Sequence, residues 1–163
     1  MLILILCKVV FCNMDTLDLN KLLQHNSAFM GTFPRDLLPP PVKCKSQPLG
    51  LIANTDVARD PGTHWVAIYV DASSRGEYFD SFGLAPQYNE ITSFLNQVCK
   101  RGWSYNSYAL QDITGDTCGV YAAMYLETRF QGYTYQHFMS LFTDNPRIND
   151  FLVPWIYLIG LSE

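Results

Sequence analysis

Four residues, in the chain order His64, Asp80, Gln111 and Cys118, have the types that nucleophilic acyl transfer requires. A cysteine attacks a carbonyl as its thiolate; it needs a base within hydrogen-bond reach, a group to orient that base, and donors for the oxyanion. In "ALQDITGDTCGVYAAMYL", Cys118 stands where a loop of Thr, Gly and Asp gives way to an apolar helical run. A helix that starts near Thr117 puts Cys118 in its first turn. Unpaired backbone N–H groups and the positive end of the macrodipole favour a thiolate there. Gly119 beside it lets substrate approach with no side chain in the way. Taken alone, Cys118 reads as readily as a small buried hydrophobe opening a core helix.

Its partners change that balance. His64 stands directly before an apolar, β-branched run in "PGTHWVAIYVD", so its imidazole projects from a strand end toward a cleft, and Trp65 beside it would wall the site. His25 and His137 fall on predicted helices and read as surface or packing residues. Asp80, in "EYFDSFG", follows Phe79 and precedes Phe82. An acid among aromatics is costly unless paired, and an imidazole would pair it, although a strand-end Asp also makes turns. Gln111 lies seven residues before Cys118. On the end of the preceding strand, its side-chain N–H and the Cys118 backbone N–H could together bind an oxyanion.

Several elements must position these groups. "MDTLDLNKLLQHN" predicts a short amphipathic helix capped by Asp15 or Thr16. In "FMGTFPRDLLPPPVKC", Pro34 and the Pro39–Pro41 run predict an extended, irregular path. "PLGLIANTD", "HWVAIYVDA", "EYFDSFG" and "WSYNSYAL" predict strands, the middle two joined through "SSRG" as an antiparallel hairpin. Tyr88, Ile91, Leu95 and Val98 recur at spacings of three and four, a helical face. Further helices are predicted over 117 to about 130, 134–142 and 147–159. Strands in the middle with helices toward the ends predict an α+β fold, a central mixed or antiparallel sheet with helices packed around it.

The bulk composition suits this. At 163 residues the chain reads as a single domain, 1–163, with a real core; 48% of residues are apolar and 16% charged. A net charge of −4 gives no global basic field for nucleic acid, leaving only a local group such as Lys43, Lys45, Lys100 and Arg101. The five cysteines show neither CxxC pairs nor finger spacing, so no metal site is expected and free thiols point to a reducing, intracellular compartment. "MLILILCKVVFCN" is too short to span a bilayer and lacks a signal-peptide pattern, so no membrane association is expected. Three readings fit it, a buried edge strand, an unusual anchor or an extraneous extension of residues 1–13 with Met14 as the true first residue, and the last is favoured.

The order His–Asp–Gln–Cys, carried by "HWVAIYV", "EYFDSFG", "LQ" and "DTCGVYAAMYL", resembles the adenain family of viral cysteine proteases, relatives of the SUMO- and ubiquitin-like-specific proteases. The resemblance covers about residues 29–155, with "GTFPRDLLP" similar to the segment lining the substrate cleft and "LIANTD" to the strand before the catalytic His. It implies the adenain-type cysteine-protease fold, with His64 as general base, Asp80 as its partner, Gln111 as oxyanion donor and Cys118 as nucleophile. Trp65 and Gly119 then shape the substrate cleft. The implied activity is an endopeptidase maturing viral capsid or core precursors at Gly-rich sites, in the host nucleus or virion, as a monomer. Alternatives are a deubiquitinase or SUMO-type protease on host conjugates and a catalytically silent virion module. The chemistry requires no cofactor. The resemblance adds an activating viral peptide tethered through a cysteine, for which Cys44 and Cys99 are candidates without a motif, and activating DNA, which the net charge does not support.

Overall fold

The structure is a computed structural model and describes residues 13–45 and 47–160. The apolar 13-mer at the N-terminus therefore lies almost wholly outside the described residues. Helix α1 (Thr16–Leu23) begins with a capping box in which the Asp15 carboxylate accepts from Asp18 N–H at 2.9 Å and the Asp18 carboxylate accepts from Asp15 N–H at 3.3 Å. Strands β1 (Phe29–Pro34), β2 (Leu49–Asn54), β3 (Trp65–Val70), β4 (Gly76–Phe79) and β5 (Trp103–Tyr105) form one sheet in chain order. The outer pairs β1/β2 and β4/β5 are parallel, while β2/β3 and β3/β4 are antiparallel. Helix α2 (Asn89–Val98) lies between β4 and β5, and α3 (Cys118–Phe130), α4 (Tyr135–Ser140) and α5 (Pro146–Gly160) follow the sheet. The architecture is α+β with a mixed sheet, as the sequence predicts.

Period-two alternation divides the sheet between two cores. Leu49, Leu51 and Ala53 of β2 join Val66, Ile68 and Val70 of β3 on the face covered by α2, whose Ile91, Phe94, Leu95 and Val98 are buried there. Ile52, Ala67, Tyr69 and Phe79 face the other way, toward α3. That helix is buried around nearly its whole circumference from Cys118 to Leu126, which makes it the centre of the larger core. Phe79 stacks on Tyr125 with centroids 4.4 Å apart, and Phe138 of α4 meets both rings edge-on. At the helix's far end, Arg129 grips both carboxylate oxygens of Glu77 at 2.7 and 3.0 Å, and Tyr125 donates to the same group at 2.6 Å.

Two local expectations are corrected. The segment with Pro34 is not irregular: Phe29–Pro34 forms the edge strand β1, and single 3-10 turns follow at Arg35–Leu37 and Pro41–Lys43. An edge position tolerates a proline because one side of the strand has no partner to bond. "WSYNSYAL" yields only the three residues of β5, because from Asn106 onward side-chain bonds replace a ladder. Cys44 and Cys99 are buried free thiols, with burial pushing Cys44 up and Cys99 up to about 11, which suits neither to a surface tether.

Gly50 marks a close approach of α3 to the sheet: a Cβ there would lie 2.6 Å from Phe130 Cζ and 2.9 Å from Leu126 Cδ2. Gly50→Ala is expected to lower stability by about 1–3 kcal/mol in urea denaturation, because the overpacked contact must be relieved by shifting α3.

Candidate active site

The hairpin β3–β4 and the start of α3 bring the three reactive groups together. His64 immediately precedes β3, Asp80 immediately follows β4, and Cys118 is the first residue of α3. His64 Nε2 lies 2.9 Å from Asp80 Oδ1, with both side chains largely buried. The same oxygen accepts from Phe82 N–H at 2.8 Å, and the Phe82 ring stacks on the imidazole at 4.7 Å, so acid and ring are both held in plane. With Nε2 occupied, Nδ1 is the ring atom left for the thiol: it is buried and makes no hydrogen bond of ordinary geometry, while the Cys118 side chain acts on the imidazole.

The charge balance of the ring follows from these neighbours. Burial pulls the His64 pKa down, but the hydrogen bond to Asp80 and then the Cys118 side chain outweigh it and push the value up to about 9. His64 is therefore an imidazolium at neutral pH. Both ring nitrogens are then donors, Nε2–H toward Asp80 and Nδ1–H unspent. With a proton on each ring nitrogen, His64 starts its work as an acid.

Gln111 is placed differently from the strand end that the sequence predicts. It lies six residues beyond β5, in an irregular loop, because Tyr105 ends the strand. It is nevertheless rigid: its backbone N–H donates to Ser81 O at 3.0 Å and its Oε1 accepts from Ser81 Oγ at 2.6 Å. These bonds fix the amide so that Nε2 is the free end, buried and without a partner among the described residues. Cys118 opens its helix, so its own N–H has no intrahelical acceptor.

The cleft beside these groups has a volume of about 440 Å³. His64, Trp65, Phe82 and Cys118 line it, together with Pro34, Asn54, residues 57–58 and 60–63, Gly115, Asp116 and residues 13–16. Trp65 Nε1–H donates to the Met14 carbonyl at 2.9 Å, which fastens the chain before α1 across the cleft wall. Gly119 does not face the cleft as expected. It is buried beneath Met14 and Trp65, whose atoms would lie 3.2 and 3.3 Å from a Cβ, so glycine serves packing at this point.

Three supporting residues carry no signal in the sequence. Asn106 clamps Asp80 from both sides, accepting from its N–H at 2.8 Å and donating to its carbonyl at 2.6 Å. Asp150, at the start of α5, accepts from Asp112 N–H at 3.1 Å, Thr117 Oγ at 3.0 Å and Tyr121 OH at 3.1 Å, so it ties both ends of the loop joining Gln111 to Cys118. Gly83 is required by close approach: its φ is +71° and a Cβ would lie 2.6 Å from the Tyr108 carbonyl carbon. An Asn, an Asp and a Gly in loops look like ordinary turn residues, and only long-range pairing marks them.

No family model matches the chain. Curated relatives are found in African swine fever virus. One is named a cysteine protease and is 33% identical over 111 residues, taking in 61% of this chain and 40% of the relative. Another, from a different isolate, is named a SUMO-1 cysteine protease and matches at the same identity and coverage. The chain thus spans about 40% of the length of the curated relatives it matches. A crystal structure of the African swine fever virus protease superposes with a TM-score of 0.60 over 88% of this chain and 66% of that one, at 18% identity. The central domain of an uncharacterized Legionella pneumophila protein gives a TM-score of 0.52 over 93% of this chain and 99% of that one, at 12% identity. The chain is homologous to the viral cysteine proteases over the matched stretch and shares their fold.

Because folding raises the His64 value above its ordinary 6.5, the imidazolium contributes stability that is full below 6.5 and is lost as pH rises through about 9. Asp80→Asn is expected to destabilise the protein by roughly 2 kcal/mol at neutral pH. The gap to the unsubstituted protein should close as pH passes 9 in urea melts, and a gap independent of pH would contradict the charged pair.

Proposed function

We propose that this chain is a cysteine endopeptidase. The single observation that carries the reading is the Asp80–His64 bond with His64 and Cys118 lining one cleft, and an unpartnered buried amide on Gln111 nearby in the chain. The Cys118 thiolate attacks the scissile carbonyl carbon. Gln111 Nε2–H and the Cys118 backbone N–H receive the oxyanion; the reading is supported by the Gln111 amide having no partner among the described residues. The C–N bond breaks as His64 Nδ1–H protonates the departing amine, leaving a thioester on Cys118. Water, deprotonated by the now neutral His64, opens the thioester and restores the starting pair. Water, thiol, imidazole and amide donors suffice, so the reaction calls on no cofactor.

The substrate class we infer is a viral precursor polypeptide cut at Gly-rich sites. Trp65 and Phe82, which line the cleft together with His64, support it, because small residues suit a cleft walled by aromatics. A second reading, release of SUMO-type conjugates, is favoured by the name that one African swine fever virus relative carries, SUMO-1 cysteine protease. The same residues serve both, and substrate profiling separates them. Among the described residues no helix is long and apolar enough to cross a membrane.

Cys118→Ala is expected to abolish cleavage of Gly-rich precursor peptides, a loss of at least about a thousandfold. Iodoacetamide at neutral pH should label Cys118 ahead of Cys44 and Cys99 in peptide mapping, since burial pushes both of the latter thiols up. Cleavage that survives Cys118→Ala, or labelling that begins at Cys44, would contradict the assignment.

A further inference from the structure

The charge of the cleft points to something the catalytic residues do not determine. Asp15, Asp60 and Asp116 line it, and no Lys or Arg does. None of the three carboxylates has an ion-pair partner among the described residues. The one cationic group in the lining, His64, is already neutralised by Asp80. Arg59 is exposed beside Asp60 in the same loop but outside the lining. A cleft that presents carboxylates without counter-charges favours a cationic occupant, in both encounter rate and orientation.

A second, independent feature lies in the same wall. Asn54, the last residue of β2, pairs with Trp65 across the sheet and is only 4% exposed. Its Oδ1 is used by Asp56 N–H at 2.8 Å, which fixes the amide, while its Nδ2 is buried with no partner among the described residues. Gly62, which also lines the cleft, covers this nitrogen at φ +81°, and a Cβ there would stand only 2.7 Å from it, so a thin stretch of glycine backbone is what lies over the donor. An unspent amide donor beside the catalytic histidine is suited to a peptide carbonyl oxygen, since leaving such a donor unpaired in a closed complex is costly.

We propose that this cleft takes a polypeptide with a lysine or arginine flanking the scissile bond, its backbone carbonyl held by Asn54 and its cationic side chain by Asp15, Asp60 and Asp116. The proposal rests on the hydrolase reading above and adds a charge preference to it. Small residues lie against the aromatics, and the basic residue lies against the carboxylates.

The test is binding to the Cys118→Ala protein, which needs no turnover. Paired Gly-rich fluorescent peptides differ only in one flanking residue, Lys or Glu, placed in turn on each side of the Gly site. At low ionic strength the Lys peptide should bind about tenfold more tightly, and the preference should shrink at high salt. Adding D60N and D116N should remove most of it, whereas Asn54→Ala should weaken both peptides and leave their ratio intact. Equal affinities for Lys and Glu peptides, or a ratio unchanged by D60N and D116N, would overturn the proposal. Failure of the hydrolase reading would show separately, as peptides bound by the Cys118→Ala protein yet left uncut by the unsubstituted one.

Discussion

Everything at the site depends on the burial of α3 against the sheet. The helix carries Cys118 as its first residue, and the strand it packs on begins one residue after His64. Thus the distance between nucleophile and base is set by helix–sheet packing and not by a flexible loop. The packing is fixed at both ends. Gly50 admits Leu126 and Phe130 close to β2, and the Glu77–Arg129 pair with Tyr125 pins the last turns. A helix so completely buried can neither slide nor rotate without opening the core, since interiors are packed to crystal density.

Charge is organised around that rigid contact. Asp80 supplies the Nε2 acceptor, Phe82 N–H and Asn106 hold Asp80, and the stacked Phe82 ring keeps water from one face of the imidazole. In such surroundings an imidazole left alone would lose its proton. The carboxylate and the sulfur reverse that outcome, so His64 and Asp80 rest as an ion pair and the acid needed for the leaving amine is in place before substrate arrives. The loop between Gln111 and Cys118 looks free in sequence, with its Thr, Gly and Asp, yet Asp150 holds both ends of it. Burial pushes the Asp150 carboxyl up, offset in part by its bonds to Thr117, the Asp112 backbone and Tyr121.

The parts of this arrangement that could be read from sequence are those with local signals. Alternating apolar residues identify β2 and β3, the three-and-four spacing identifies α2, and the switch from polar loop to apolar run places Cys118 at a helix start. His64 and Asp80 follow, because strand ends are visible in the pattern. Gln111 was legible as a polar residue at the right spacing, but its loop was not, since the bonds that replace strand pairing come from Ser81. Asn106, Asn54 and Asp150 were invisible because their roles depend on partners 26 to 38 residues away or, for Asn54, on an amide nitrogen without a partner among the described residues. Gly119 misled for the same reason: only the position of Met14 and Trp65 above it shows that the missing side chain serves packing.

The central claim is that His64 rests as an imidazolium, held so by Asp80 and the Cys118 side chain. Nitrogen-15 NMR of the histidine side chains, followed across pH, tests this most directly. Both His64 ring nitrogens should carry protons at pH 7, and the signal should titrate near 9, falling toward the ordinary imidazole value in Cys118→Ala. A His64 that is neutral at pH 7 and titrates near 6.5, or one indifferent to the loss of the Cys118 sulfur, would contradict the account.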